Sequence, residues 1–356
     1  MAQSTAGHPT RPAQPALQAS AVEQAVNDLL QAAWKARLVH VAVELDLPDL
    51  VAAGPVPASE LAAATGAHPP SLGKLLRLLA VTGILQRTTT PDGETAFAGT
   101  PYSDVLREDV TGVVATDARF QAAPWHWAAW GQLEHSIRTG REAFVEANGR
   151  HLWELVGADP DSQARFDHAM SSVSMRESRD VPACYDFVGY EHVVDVGGGT
   201  GSLLAAILES SPGTRGTLLD RPENAELAHQ RFAERDLLDR AEVIGGDFHD
   251  TVPAGADLYV IKHVLHNWDD DDVVGILKVI GQAMRPDSKI LIVDNVIDHE
   301  ASADALFVDL LMLVLAGGGD RSEQELTDLA GRAGLRVQST GPAGTGALRF
   351  LECVAA

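Results

Sequence analysis

Apolar residues recur at helical spacing from Ala21 to Leu47 (Val22, Ala25, Leu29, Ala33, Leu38, Val41, Val43), which predicts a long first helix. Shorter helices are expected at Ala58–Thr65, begun by Ser59 or Pro57 and ended by Gly66, and at Pro70–Val81. Ile84-Leu85-Gln86-Arg87, a turn at Pro91-Asp92-Gly93 and Thr95-Ala96-Phe97 then read as a β-hairpin. A helical stretch is expected from Ser103 to Tyr185. Beyond it the pattern alternates strand and helix, with short apolar strands at His192–Val196, Gly216–Leu219, Ala241–Ile244, Leu258–Ile261 and Lys289–Val293. Such alternation predicts an α/β domain built on a parallel, doubly wound sheet.

The pattern divides the chain into four parts. Residues 1–20, rich in Pro, Ala, Ser and Gln, are expected to be a flexible tail. Residues 21–102 form a helical, winged-helix-like region, 103–185 a helical linker, and 186–356 the α/β domain. No internal repeat is visible. Winged helices often bind DNA, but the hairpin tip Thr88–Glu94 carries no Lys or Arg, and Lys74 and Arg77 are few for a recognition helix. The region is read instead as a module that pairs two subunits, making a homodimer.

Charge supports that choice. With 27 Lys and Arg against 50 Asp and Glu, the net charge of −23 repels nucleic acid and tolerates a cationic ligand. No run approaches the roughly 18 apolar residues of a membrane span, and no secretory leader is apparent. Cys184 and Cys353 make no metal framework and fit a reducing, cytoplasmic setting.

The most informative segment is His192-Val193-Val194-Asp195-Val196-Gly197-Gly198-Gly199-Thr200-Gly201-Ser202, an apolar strand ending in glycines before a helix. Glycines let the backbone turn sharply and let a ligand approach the amides. A dinucleotide loop, G-x-G-x-x-G, would need glycine at 202, which is Ser. The register Asp195-x-Gly197-x-Gly199-x-Gly201 resembles instead the first motif of S-adenosylmethionine-dependent methyltransferases; a tight turn without a ligand is the alternative. Three further candidates end successive strands. Asp220 is placed to accept from both ribose hydroxyls, Asp247 from an adenine amino group with Phe248 stacking beside it, and Lys262 closes the fourth strand. Taken singly, Asp220 and Asp247 read as turn or cap residues and Lys262 as a solvated end.

VVDVGGGTG, LLDRPE, GGDFHD, IKHVLHNWDDDD and GGGDRSEQEL together resemble the plant-type and bacterial small-molecule O-methyltransferases, over nearly the whole chain. Through ATDARFQAAPWHWAAW the likeness is to bacterial natural-product enzymes of the mitomycin 7-O-methyltransferase kind. The resemblance implies a Rossmann-like catalytic sheet, S-adenosylmethionine as methyl donor and a small aromatic hydroxyl compound as acceptor. It implies His266 as general base, flanked by Asp294 and Asp320 where the family commonly has Glu, and Asn267 where it has Asp. Histidine suits the role because its ordinary pKa near 6.5 allows proton uptake at neutral pH. The sulfonium carries its own leaving group, so no metal is expected. His263 is the rival base, and a structural histidine the alternative for both.

By the same resemblance Ser174 meets the methionine carboxylate, while Phe166 and Met170, joined by Met312, flank the acceptor. Phe120, Trp127, Trp125 and Trp130 are read either as pocket lining or as core. The Asp269–Asp272 run is expected to cap a helix at Val273–Met284 rather than bind metal. Hydroxylation or decarboxylation chemistry, N- or C-methylation, and a DNA-binding regulator remain the alternatives on sequence alone.

Overall fold

The computed structural model describes residues 19–108, 113–298 and 301–356, with side chains throughout these except at 19, 20, 113 and 172–176. The expected tail lies outside the described residues apart from its last two. The chain divides into two compact units, 1–107 and 108–356.

In the first unit α1 (Ala19–Glu44), α2 (Leu47–Leu50), β1 (Val56–Pro57), α3 (Ala58–Thr65), α4 (Pro69–Val81), β2 (Gln86–Thr89), β3 (Thr95–Ala98) and α5 (Pro101–Asp104) follow in order. The first helix stops short of Leu47, because Asp46 turns left-handed (φ 50°) and Pro48 begins a new helix. Helix α3 ends where expected, at Gly66 with φ 63°. Along α4 the stripe Leu72, Leu76 and Leu79 is buried against Leu47, Leu61, Leu85 and Phe97. Each such side chain contributes about 1.5–3 kcal/mol by leaving water. Strands β2 and β3 form the expected hairpin, and β1 adds to the far edge of β3, with Val56 opposite Phe97. Two residues are too few to show a period, so β1 left no sequence signal.

The second unit opens with helices α6 (Val113–Ala122), α7 (Pro124–Trp130), α8 (Leu133–Thr139), α9 (Ala143–Asn148), α10 (Leu152–Ala158) and α11 (Pro160–Cys184). Then come β4 (His192–Val196), α12 (Ser202–Ser210), β5 (Arg215–Asp220), α13 (Pro222–Glu234), β6 (Ala241–Gly245) and β7 (Leu258–Lys262). The chain finishes with α14 (Asp270–Ala283), β8 (Lys289–Asn295), α15 (Ala303–Ala316), α16 (Glu323–Arg332), β9 (Leu335–Pro342) and β10 (Leu348–Ala355).

The seven-stranded sheet runs β6-β5-β4-β7-β8-β10-β9. Its first five strands are parallel, as the alternation predicted, but β10 is antiparallel to both β8 and β9. The sheet is therefore mixed, not wholly parallel. Side chains alternate between two cores. Val194, Val196, Tyr259, Ile261 and Ile292 face one, while Val193, Leu218, Val260 and Leu291 face the other. From β4 the chain winds outward through β5 and β6, then returns to lay β7 on the other side of β4. That reversal opens a crevice at the carboxyl ends of β4 and β7, where ligands bind in such sheets.

Candidate active site

The loop after β4 is built for a close backbone approach. Gly197, Gly199 and Gly201 have φ of 69°, 58° and 78°, a region costly for other residues. A Cβ at Gly197 would lie 2.6 Å from Val264 Cγ2, whereas one at Gly199 would meet nothing within 4 Å. The first glycine is thus required by packing; the second borders open space. Asp195, under this loop, is buried, and its Oδ2 has no hydrogen-bond partner. Burial pushes its pKa up to about 7, with Asp220 adding to the rise while Lys262 and the Leu204 amide oppose it.

Asp220 ends β5 and is already well used. Oδ2 accepts from the Gly199 amide at 2.7 Å, and Oδ1 from the Arg221 amide and Asn224 Nδ2 at 2.8 Å each. A carboxylate has about four acceptor positions. One remains, room for one further donor such as a hydroxyl rather than the two expected from the sequence, unless an amide gives way. Asp247 is exposed and accepts from the backbone amide and the ring Nδ1 of His249; burial opposes ionisation, but these bonds hold its pKa below the ordinary value. Phe248 stands half-buried beside Trp268, ring centroids 6.3 Å apart, with its edge toward Gly197. The side chain of Ser174 lies outside the described residues. Its neighbour Ser171 meets Thr200 of the glycine loop at 3.3 Å. An orphaned buried acid, an open glycine position and spare acceptors at two strand ends fit a nucleoside with polar hydroxyls.

Lys262 is not a solvated end. Its ammonium donates to Glu177 Oε2 at 2.9 Å with only 7% of its side chain exposed. The same Oε2 lies 2.8 Å from His263 Nε2, and His263 Nδ1 lies 3.2 Å from Asp294 Oδ1. His263 holds φ 54°, a strained conformation fixed by these side-chain bonds and by Asn267 Nδ2 donating to its carbonyl. Burial and Lys262 oppose protonation of His263, yet the bonds to Asp294 and Glu177 outweigh them and raise its pKa. Burial likewise opposes ionisation of Glu177, but His263 and Lys262 hold its carboxyl far below the usual carboxylate range. Asn267 therefore supports the turn's backbone at His263 and Val264 instead of touching the base.

His266 lies in a one-turn 3₁₀ segment, Leu265–Asn267, and is 8% exposed. Its Nδ1 is hydrogen-bonded to Asp320 Oδ1 at 3.0 Å, and Asp294 Oδ1 stands 3.3 Å from the same nitrogen. The shorter Asp side chains thus reach the ring directly. Ionised carboxylates only accept, so Nδ1 carries a proton, and in the neutral ring Nε2 keeps its lone pair. Burial works against ionisation of Asp294, but His266, His263 and the Asn295 amide keep its pKa below the ordinary value. His263, His266 and Asp294 bring one donor atom each within 4.8 Å, a spacing at which side chains also chelate. His263 Nδ1 is hydrogen-bonded to Asp294 and His266 Nδ1 to Asp320, bonds that themselves draw these side chains together.

Two supporting residues had gone unnoticed in the sequence. Arg321 follows Asp320 and donates to the carbonyls of Leu265 and Trp268 on either side of His266, at 3.1 and 2.7 Å. Glu177 continues the face Phe166, Met170, Ser174 at helical spacing along α11, a signal that could have revealed it. Asp269 does cap α14, accepting from the amides of Asp271 and Asp272 at 3.0 Å, although that helix starts at Asp270 rather than Val273.

Phe120 and Phe166 belong to one aromatic cluster, 6.1 Å between ring centroids, with Trp153 5.3 Å from Phe166. Trp125 is core, its Nε1 donating to Ser162 at 3.0 Å. Trp127 and Met312 are half-buried, and Met170 is exposed. Helix α15 links this cluster to His266: Leu311, Val314 and Leu315 pack into it, and the same helix touches the His266 turn.

Residues 130–336 match the O-methyltransferase domain model, and residues 27–109 the O-methyltransferase dimerisation domain model. The chain is 54% identical over 333 residues to the mitomycin biosynthesis 6-O-methyltransferase of Streptomyces lavendulae, covering 94% of this chain and 95% of the relative. Its fold superposes on the structure of the mitomycin 7-O-methyltransferase MmcR with a TM-score of 0.91 and 53% identity, covering 95% and 98% of the two chains. An O-methyltransferase of neocarzinostatin biosynthesis, NcsB1, solved with S-adenosylmethionine and 2-hydroxy-5-methyl naphthoic acid, gives a TM-score of 0.78 at 35% identity, covering 90% and 96%.

Proposed function

The chain belongs to the S-adenosylmethionine-dependent O-methyltransferase family, and from that premise we propose that it methylates a phenol, enol or hydroxyquinone of a small aromatic secondary metabolite with His266 as general base. The observation that carries the assignment is the different engagement of the two histidines. Both nitrogens of His263 face carboxylates, so it has no lone pair to offer; His266 commits only Nδ1, to Asp320. The proton of the acceptor hydroxyl passes to His266 Nε2. The imidazolium so formed is stabilised by Asp320 and Asp294, which lie within 3.3 Å of Nδ1. Around His266, the two cations Lys262 and His263 stand among the three carboxylates Glu177, Asp294 and Asp320.

The glycine loop, Asp220, Asp247, Phe248 and Lys262 are the residues read as holding S-adenosylmethionine, with Ser174 on α11. When bound, that cofactor supplies an electrophilic methyl group on a cationic sulfur. Phe120, Phe166, Trp127, Met170 and Met312 are read as the acceptor's surroundings, where rings and thioethers suit a flat apolar molecule. The protein is read as a homodimer. Support comes from the dimerisation domain match and from α1, which leaves Leu29, Leu30 and Trp34 exposed within its own unit. No helix among the described residues is long and apolar enough to cross a membrane. The free thiols Cys184 and Cys353 support a reducing, cytoplasmic setting.

The test combines calorimetric titration with S-adenosylhomocysteine and initial rates on a panel of phenols. His266→Ala should retain product binding and lose roughly 10²–10⁴ in turnover of hydroxyls of high pKa. Asp220→Ala should lose the binding itself. An unchanged rate in His266→Ala would exclude it as the base.

A further inference from the structure

We propose that Glu177 is a positioning residue for methyl transfer: bonded to both Lys262 and His263, it holds His263 as a doubly donating cation that pins Asp294 beside the base. The inference rests on His266 acting as the base. Three elements meet at His263. Glu177 comes from α11, Asp294 from β8, and Lys262 precedes it on β7, while the His266 ring stacks on it at 5.1 Å with the planes 20° apart. Asp195 on β4 faces the cluster through its charge interaction with Lys262, and Asp320 faces it from beyond His266.

The geometry assigns the protons. An ionised carboxylate only accepts, so each ring nitrogen of His263 must carry hydrogen, which makes the ring a cation. That cation satisfies Asp294 Oδ1, which also accepts from the Asn295 amide at 3.1 Å, and so holds the oxygen 3.3 Å from His266 Nδ1. Glu177 is what makes the arrangement affordable in charge: without it, two adjacent cations would share a site where the Lys262 side chain is 7% and His263 18% exposed. The carboxylate also ties the base-bearing strand end to the helix that carries Phe166 and Met170.

In Glu177→Gln, burial and Lys262 push His263 toward its neutral form, and Asp294 is no longer held by a cation at alkaline pH. The experiment has two arms. Nitrogen-15 spectra of histidine-labelled wild type, with His263→Gln to assign the ring, should show one imidazole protonated on both nitrogens through pH 8. That signal should be absent at pH 8 in Glu177→Gln. In the second arm the pH profile of turnover should gain a descending limb in Glu177→Gln, falling at least about threefold between pH 7 and 8.5, where an unperturbed imidazole has lost its proton. Wild type should show no such descending limb.

A neutral His263 in wild type at pH 8 overturns the proposal whether or not the variant folds. So does a Glu177→Gln profile of the same shape as wild type. Full activity in His266→Ala would instead remove the base assignment, and the spectra would still report the state of His263.

Discussion

Replacing Asp320 with Asn tests the electrostatic design of the base most directly. The Asp320 side chain is 0% exposed and gives Oδ1 to His266 Nδ1 at 3.0 Å, so solvent does not screen the interaction. Asp294 is a weaker substitute. Its Oδ1 is 3.3 Å from the ring and shared with His263 Nδ1 at 3.2 Å and the Asn295 amide at 3.1 Å. A hydrogen bond to a charged group contributes about 1.5–3 kcal/mol, which sets the loss in kcat at roughly tenfold to 150-fold. Asn can also turn its amide NH₂ toward Nδ1, which moves the ring proton to Nε2 and removes the base; the loss then approaches the whole general-base contribution, ~10²–10⁴. The assay is initial rate against pH with a phenol of high pKa. The loss should fall on kcat, while the KM for the methyl donor stays put. A kcat unchanged in Asp320→Asn, or a loss confined to KM, would refute the assignment of Asp320 to the transition state.

Two further outcomes follow from the glycine loop. Asp195 binds a proton more tightly in the native chain (about 7) than in the unfolded one (3.8), so its contribution to stability falls as pH rises through that window. Asp195→Asn removes this dependence, and the variant's melting temperature relative to wild type should climb between pH 5 and pH 8; parallel curves would contradict the buried, unpaired carboxylate. Gly197→Ala places a Cβ 2.6 Å from Val264 Cγ2 at φ 69°, so it should cost at least ~1–2 kcal/mol in denaturant unfolding and abolish S-adenosylhomocysteine binding. Wild-type stability and binding would show that the loop relaxes freely.

The sequence was most legible where one physical rule acted alone. Val193, Val194 and Val196 are apolar because β4 is buried on both faces, and the glycines mark a turn that no other residue forms cheaply. Helices α3 and α4 were readable from a cap and a stripe. The edge strand β9 was not, since Leu335–Pro342 reads as a mixed run with neither clean alternation nor a strong apolar stretch. The site residues split the same way. His266 and Asp320 carry local motifs, whereas the partners of Lys262 and His263 could not be read along the chain. Glu177 reaches them across 85 and 86 positions, and only the packing of α11 against the sheet brings these charges together. A lysine ending a strand looks solvated until the carboxylate beside it is known.

Helix α11 carries Phe166 and Glu177 on one rod, about 16 Å apart at the helical rise. Its middle meets the glycine loop through Ser171 and Thr200. Any change that tilts the rod to admit a bulkier acceptor therefore also displaces the carboxylate beneath the base strand. On the proposed roles of these residues, acceptor range and proton handling are inherited together along this helix. The aromatic wall contributed by α7 and α9, where Trp125 and Phe144 stand 5.9 Å apart in ring centroids, reaches the His266 turn through a separate helix, α15. Divergence in substrate among related chains should accumulate first in that wall, and redesign for new acceptors is best begun there.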